Sequence, residues 1–70
     1  MSDEELRLQE DTKLRVRASN HNDRQESFNY FVDRIMFVKE MDLKSVLDLA
    51  IVKECQDFLK VERYTGEAQL

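Results

Sequence analysis

Three cations stand at alternate positions in one short segment of the sequence. Between residues 12 and 18, where no acidic residue occurs, cationic and apolar side chains alternate in the order Lys13, Leu14, Arg15, Val16, Arg17 and Ala18. Strict alternation is the period of a strand with one buried face, so the three cations would share the open face. Arginine there can donate a bidentate pair to guanine, and lysine can contact guanine or phosphate. The segment therefore predicts a contact surface for duplex DNA.

A strand of this kind needs a partner, because its backbone donors and acceptors must be paired. The chain offers no convincing second strand. Residues 6–9 alternate in the same phase, but no turn signal follows them, so whether they form a second strand stays open. The natural partner is the same strand of a second copy. We therefore predict an intermolecular two-stranded antiparallel ribbon that carries six cations on its open face.

Two helices are expected after this strand. Asn22 is a good N-cap for a first helix that begins near Asp23, and Asp42 is expected to cap a second helix that starts at Leu43. The first helix is apolar on two sides, whereas a surface helix normally shows one apolar stripe. The two stripes consist of Phe28, Phe31, Val32, Ile35 and Val38 on one side and Tyr30, Phe37 and Met41 on the other. The second apolar stripe is therefore expected to be covered by another molecule, and a symmetric partner is the simplest one.

The chain is short and acidic, and its length limits how it can be stabilised. Its 70 residues carry a formal net charge of −4, with one cysteine, Cys55, and one histidine, His21. A chain of this size buries only about 60% of the surface that it exposes when unfolded. It therefore needs further stabilisation from a disulfide, a structural metal or a partner. A single cysteine cannot form an internal disulfide, and with one histidine it cannot hold a structural zinc ion. Oligomerisation is the remaining candidate.

The composition fits few functions other than binding. No serine or cysteine stands with a histidine and an acid in a recognisable catalytic arrangement, so we expect no enzymatic activity, cofactor or metal. No apolar run exceeds four residues, which argues against a membrane span or a signal peptide. With no proline and one glycine, the sequence lacks the turn residues of a many-stranded fold. We expect a mainly α protein with one short β-strand, located in the cytoplasm and associated with the nucleoid if it binds DNA.

Charge is distributed unevenly along the chain. Residues 1–11 hold five acidic residues against one arginine, a net charge of −4, whereas residues 12–18 have a net charge of +3. We interpret residues 1–11 as an acidic flexible arm, which solubilises the protein, lies over the basic strand or contacts a protein partner. Residues 65–70 are expected to form a frayed C-terminus, and residues 12–64 the folded domain between the two ends.

Residues 13–60 resemble the ribbon-helix-helix DNA-binding proteins. The alternating segment stands in the place of the ribbon, residues 22–41 in the place of the first helix, and residues 41–45 in the place of the turn into the second. The resemblance implies an intertwined homodimer with an intermolecular two-stranded antiparallel ribbon. It also implies a repressor or accessory regulator, often with several dimers side by side on DNA.

The resemblance further implies roles for individual residues. Lys13, Arg15 and Arg17 would contact bases, while Lys44 and Ser45 at the start of the second helix would hold a phosphate. The core shared by the two copies would consist of apolar residues from the ribbon and both helices: Leu14, Val16, Ala18, Phe31, Ile35, Phe37, Val46 and Ala50.

Two functions of different classes follow from these patterns. The first is sequence-specific binding of duplex DNA by a homodimer that regulates transcription. The alternative is a small helical protein–protein interaction module, such as an inhibitor, an adaptor or an antitoxin, that does not bind DNA. That module would use its apolar helix faces or its acidic arm. The sequence names neither an operator nor a protein partner.

Overall fold

The described part of the chain consists of helices and the turns between them. The structure is a computed structural model that describes residues 3–16 and 20–66, and for residues 15 and 16 it describes the backbone alone. The helices are α1 (Asp3–Val16), α2 (His21–Lys39), α3 (Leu43–Leu47) and α4 (Ala50–Leu59). These residues contain no β-strand. The prediction of a ribbon-helix-helix fold, with an intermolecular ribbon and an intertwined homodimer, is therefore wrong.

The segment that was expected to form the ribbon lies at the C-terminal end of α1. Residues 13–16 are helical, while Arg17 and Ala18 lie outside the described residues. Because a helix turns by about 100° per residue, Lys13 and Arg15 lie about 200° apart around α1 and cannot share one face. Residues 13–18 alternate as in a strand, but residues 13–16 belong to a helix that begins at Asp3.

Residues 3–11, which were expected to form a flexible arm, make up most of α1. Three consecutive acidic residues occupy its first turn, where the positive end of the helix dipole favours negative charge. The buried face of α1 carries Glu5, Gln9 and Thr12, at the i, i+4 and i+7 spacing that places side chains on one side of a helix. Because this face is polar, a search for apolar periodicity does not detect the helix.

The first turn of α2 lies slightly earlier than the sequence predicts. The side-chain Oδ1 of Asn20 accepts a hydrogen bond from the backbone N–H of Asp23 at 2.9 Å, so Asn20 is the N-cap and Asn22 lies inside the helix. The prediction that α2 is apolar on two sides is confirmed, since Tyr30 and Phe37 are exposed opposite a buried face. The fully buried side chains of that face are Phe28, Phe31, Val32 and Ile35.

The second predicted helix is divided into α3 and α4. Leu49 has an extended backbone and precedes the first residue of α4. Val46 and Cys55 are nine residues apart, so in one continuous helix they would lie on opposite sides, about 180° apart. Both side chains are fully buried. The break at Asp48 and Leu49 changes the direction of the chain, which allows both residues to enter the same core.

Asp42 begins α3 as the sequence predicts. Its Oδ1 accepts a hydrogen bond from the backbone N–H of Ser45 at 2.8 Å. This bond, together with the Ser45 hydroxyl, lowers the pKa of the Asp42 carboxyl group, because both donors favour its charged form. The cap therefore contributes its full stabilisation at pH values above the pKa that Asp42 has in the unfolded chain. That stabilisation is lost as the pH falls through the lowered pKa of the folded state.

We expect Asp42→Ala to lower the melting temperature at neutral pH, and Asp42→Asn to retain most of the cap, since an amide oxygen also accepts the hydrogen bond. Thermal melts at about pH 7 and about pH 2.5 measure the effect, which should shrink at the acidic pH. The matched control is Asp57→Ala, which removes an exposed acid within α4. An Asp42→Ala deficit that stays constant with pH would contradict the proposed role of the carboxylate.

The chain beyond α4 is bound along one side of α2. α4 ends at Leu59, and Lys60 follows in the left-handed conformation. In the C-terminal segment, residues 61–66, the backbone oxygen of Arg63 accepts from Gln25 Nε2 at 2.9 Å. The segment therefore continues the fold instead of leaving it.

Asn29 holds the same segment. It is only 4% exposed, and its Nδ2 donates to the Thr65 hydroxyl at 3.0 Å while its Oδ1 accepts from the Thr65 backbone N–H at 3.2 Å. One turn further along α2, the Tyr64 hydroxyl donates to Asp33 Oδ1 at 2.7 Å. The two hydrogen bonds to Thr65 satisfy the buried side-chain amide of Asn29, which would otherwise destabilise the core.

Helix α2 lies at the centre of the fold and packs against the other three helices, while α1 and α4 also touch each other. The core between them belongs to this one chain and is formed by Phe28, Phe31, Val32, Ile35, Val46, Ile51, Val52, Cys55, Leu59 and Val61. The chain therefore closes an apolar core without the shared strand that the sequence predicts.

Candidate interaction surface

Of the three cations that were predicted to contact bases, the structure describes the side chain of Lys13. Lys13 Nζ lies 3.8 Å from Glu10 Oε1 and 5.7 Å from the centre of the Phe58 ring. Its charge is thus shared with a carboxylate and an aromatic face of the same chain. The side chain of Arg15 and all of Arg17 lie outside what the structure describes.

The predicted phosphate site lies in the short helix α3. Lys44 and Ser45 are both exposed there. The backbone N–H of Ser45, which would have been available to a phosphate, donates to the Asp42 carboxylate. A negative side chain thus occupies the place where the anion was expected.

The residues that were predicted to form a core between two copies separate into three groups. Phe31, Ile35 and Val46 are fully buried, but within their own chain. Leu14, Phe37 and Ala50 are exposed. The remaining two fall outside the description of side chains: Val16 and Ala18. The structure therefore does not bring the predicted set together.

Among the large apolar side chains that the structure describes, the most exposed one lies on the outer side of α2. Phe37 is 73% exposed, and Tyr30, two helical turns before it, is 47% exposed. Arg34 lies between them, since spacings of four and three residues keep all three side chains on one side of a helix. We call these three residues, Tyr30, Arg34 and Phe37, the α2 outer face.

Contacts from two directions hold Arg34 in place. Its Nη2 lies 3.4 Å from Glu4 Oε1 of α1, and its guanidinium carbon lies 5.3 Å from the centre of the Phe37 ring. A guanidinium over an aromatic face is attracted by the negative charge density of the ring. The arginine is therefore partly ordered before any partner arrives, which reduces the entropy lost on binding.

Two shallow clefts flank the Glu4–Arg34 pair, and both are lined by these two residues. On one side the cleft continues along Phe37 and its neighbours Met36 and Val38. On the other side it continues toward Tyr30 and the outer residues of α1. The α2 outer face is thus a ridge with a depression on either side, a shape that accepts side chains from a partner helix.

The described residues offer little that could act as a nucleophile or bind a metal ion. Cys55 is buried, and burial raises the pKa of its thiol to about 12, so the thiolate that would act as a nucleophile is scarce at neutral pH. Cys55 is thus a buried side chain of the apolar core. His21 is the exposed first residue of α2. The described part of the chain contains no group of three or more potential metal ligands.

Sequence reasoning missed two features of this surface. Arg34 received no role, although its position between two exposed aromatic residues of one helix could have indicated one. Glu4 was assigned to a flexible arm, and only the packing of α1 on α2 brings it to Arg34.

Comparison with family models, with curated proteins and with solved structures finds no match for this chain. None of the described helices combines the length and apolar character needed to cross a bilayer.

Proposed function

We propose that this chain is a small helical protein–protein interaction module that binds its partner through the α2 outer face. The observation that carries the proposal is the exposure of Phe37. Two other phenylalanines of α2, Phe28 and Phe31, are fully buried, whereas Phe37 is 73% exposed. A large aromatic side chain in water contributes little to the fold but contributes strongly to binding once a partner covers it.

The composition of the α2 outer face supports the same function. Tyrosine and arginine are among the residue types that contribute most to binding at protein interfaces, and aromatic side chains are enriched there. Arg34 is already held by Glu4 and stacked against Phe37. The face therefore presents an aromatic anchor next to an oriented cation, which favours a partner with an apolar pocket and a carboxylate or carbonyl oxygen at its edge.

Binding of duplex DNA stays a prediction from the sequence. It depended on a strand that would align Lys13, Arg15 and Arg17, and residues 13–16 are helical. Titration of the protein into random-sequence duplex DNA at low salt tests it directly, because contacts to phosphate weaken steeply as salt rises. Salt-dependent binding in that titration would favour the regulator over the interaction module.

The interaction module is tested by a photo-crosslinking residue, p-benzoylphenylalanine, placed at position 37 in cells of the source organism. We expect one protein partner to be crosslinked at position 37 and not at Lys53, an exposed position on α4. With that partner purified, Phe37→Asp should weaken binding at least about tenfold, the loss typical of a central aromatic contact. The matched control is Leu43→Asp, which places the same charge at a partly exposed leucine of α3.

Two results would overturn the proposal. One is an affinity for the crosslinked partner that Phe37→Asp and Leu43→Asp reduce equally. The other is a crosslinking pattern that is the same at positions 37 and 53. Circular dichroism of both variants shows whether the helices are retained, which is expected because both side chains are exposed.

A further inference from the structure

The two clefts beside the α2 outer face are lined partly by apolar side chains. In the cleft along Phe37 these are Met36 and Val38, which are both half-buried. In the cleft along Tyr30 the apolar neighbour is Leu8 of α1, which packs against the core. An apolar side chain that enters either cleft therefore leaves water for a partly apolar surface, which is favourable.

Acidic residues predominate among the charged residues that line the same clefts. The described lining residues include four exposed carboxylates and two guanidinium groups, which together give a net charge of −2. The acids are Asp3, Glu4, Asp11 and Glu40, and the arginines are Arg7 and Arg34. A partner thus meets negative charge around the apolar parts of the two clefts.

A surface of this kind is complementary to a segment that carries both apolar and long cationic side chains. Lysine and arginine lay their methylene stems along apolar surface while the charged end reaches a carboxylate. An amphipathic helix with a basic polar face presents these two kinds of side chain next to each other. We propose, building on the function proposed above, that the partner of the α2 outer face is a basic amphipathic helix of another protein.

The shape of the surface favours a helix over an extended peptide. The residues that the structure describes contain no strand, so they offer no sheet edge to which an extended peptide could add. A helix satisfies its own backbone hydrogen bonds and carries rows of side chains, which can straddle the ridge formed by Tyr30 and Phe37. These two residues lie about 10 Å apart along the axis of α2, so a partner helix of about three turns spans the surface.

The charges of the clefts disfavour other occupants. The exposed carboxylates would repel the phosphate groups of DNA or of an anionic membrane. A second copy that met this face with its own α2 outer face would bring the same acids together. Arg34 does not oppose a basic partner, because Glu4 Oε1 already lies 3.4 Å from its Nη2. One carbonyl oxygen of the partner helix is enough to accept a further hydrogen bond from it.

Two designed peptides serve as probes, each of about 18 residues, which is long enough to form a helix. Both carry leucine at helical spacing, and the remaining positions are lysine in one peptide and glutamate in the other. Fluorescence anisotropy of each labelled peptide, titrated with the full chain at low salt, measures the affinity. We expect the lysine peptide to bind at least about tenfold more tightly than the glutamate peptide. About 0.5 M salt should weaken its binding.

Charge variants test where the lysine peptide binds. The double variant Asp11→Lys with Glu40→Lys reverses one exposed acid in each cleft and should weaken binding at least about tenfold. The matched control, Glu54→Lys with Asp57→Lys, reverses two exposed acids of α4 and changes the net charge equally. It should leave the affinity within about twofold. Asp11→Asn with Glu40→Gln should cause a smaller loss than the reversal, because it removes the attraction without adding repulsion.

Equal weakening by the two lysine double variants would overturn the proposal, since binding would then follow net charge alone. Equal affinities for the two peptides would overturn it as well. This proposal and the proposed function fail separately. If Phe37→Ala weakens binding of the partner crosslinked at position 37 while Asp11→Lys with Glu40→Lys does not, the α2 outer face remains the interface but its partner is not basic. Crosslinking that is the same at positions 37 and 53 would instead overturn the interaction module itself.

Discussion

Phe31→Ala is expected to lower the free energy of unfolding by about 3–5 kcal/mol, which is the usual cost of deleting a buried phenylalanine ring. Phe31 is fully buried on α2, the helix that contacts the other three. The substitution removes apolar contacts and leaves a cavity that the neighbouring helices can fill only in part. Because a domain of this length has a total stability of roughly 4–10 kcal/mol, the variant should be partly unfolded at room temperature.

Chemical denaturation followed by circular dichroism measures this effect, with Phe37→Ala as the matched control. The control deletes the same ring from the same helix, but at a position that is 73% exposed. We expect it to change the free energy of unfolding by less than about 1 kcal/mol, since exposed positions contribute little. Equal losses in the two variants would contradict the assignment of Phe31 to the inside and Phe37 to the outside.

Lys39→Met is expected to destabilise the fold by about 2–3 kcal/mol, somewhat less than the loss of a partner from a fully buried ion pair. Lys39 Nζ lies 2.8 Å from Glu5 Oε1, and Glu5 is only 4% exposed. Methionine keeps most of the volume of the lysine stem but removes the ammonium group. A buried carboxylate then loses the ammonium group beside it, and the loss of an opposite charge next to a buried carboxylate is costly. Lys39 itself is about one-third exposed, so water offsets part of the loss.

The double variant Glu5→Leu with Lys39→Met separates the cost of leaving the Glu5 charge without Lys39 from the contribution of the pair. Replacing both partners by apolar residues of similar volume is often neutral or stabilising. We therefore expect the double variant to recover most of the stability that Lys39→Met alone loses, as measured by urea denaturation. If the double variant is no more stable than the single one, the loss does not arise from separating the Glu5 charge from Lys39.

Part of the fold follows from local patterns in the sequence. The buried stripe of α2 was predicted from its helical spacing, and so was a second apolar stripe with Tyr30 and Phe37. That second stripe was predicted to be covered by another copy, whereas both residues are exposed in this chain. Asp42 was predicted as a cap because its short carboxylate can reach a free backbone N–H. These features depend on residues within a few positions of one another.

The strand prediction failed where two periods fit the same short segment. Residues 13–18 alternate as in a strand, but α1 carries a polar buried face that includes Glu5 and Gln9. Polar residues provide no apolar stripe, so the helix was not recognised, and residues 3–11 were interpreted as an arm. Glu5 becomes favourable in the interior only once Lys39 is brought to it from the end of α2.

The sequence by itself determined that the chain is short, acidic and mainly helical, and that α2 carries apolar residues on two sides, because composition and helical spacing are properties of neighbouring residues. Only the tertiary structure decided that residues 3–16 form a helix, that the predicted second helix breaks at Leu49, and that Arg34 is held by Glu4. The physical reason is that each of these outcomes depends on a partner distant in sequence. Ion pairs, buried carboxylates and redirected helices become favourable only after packing removes water from between those partners.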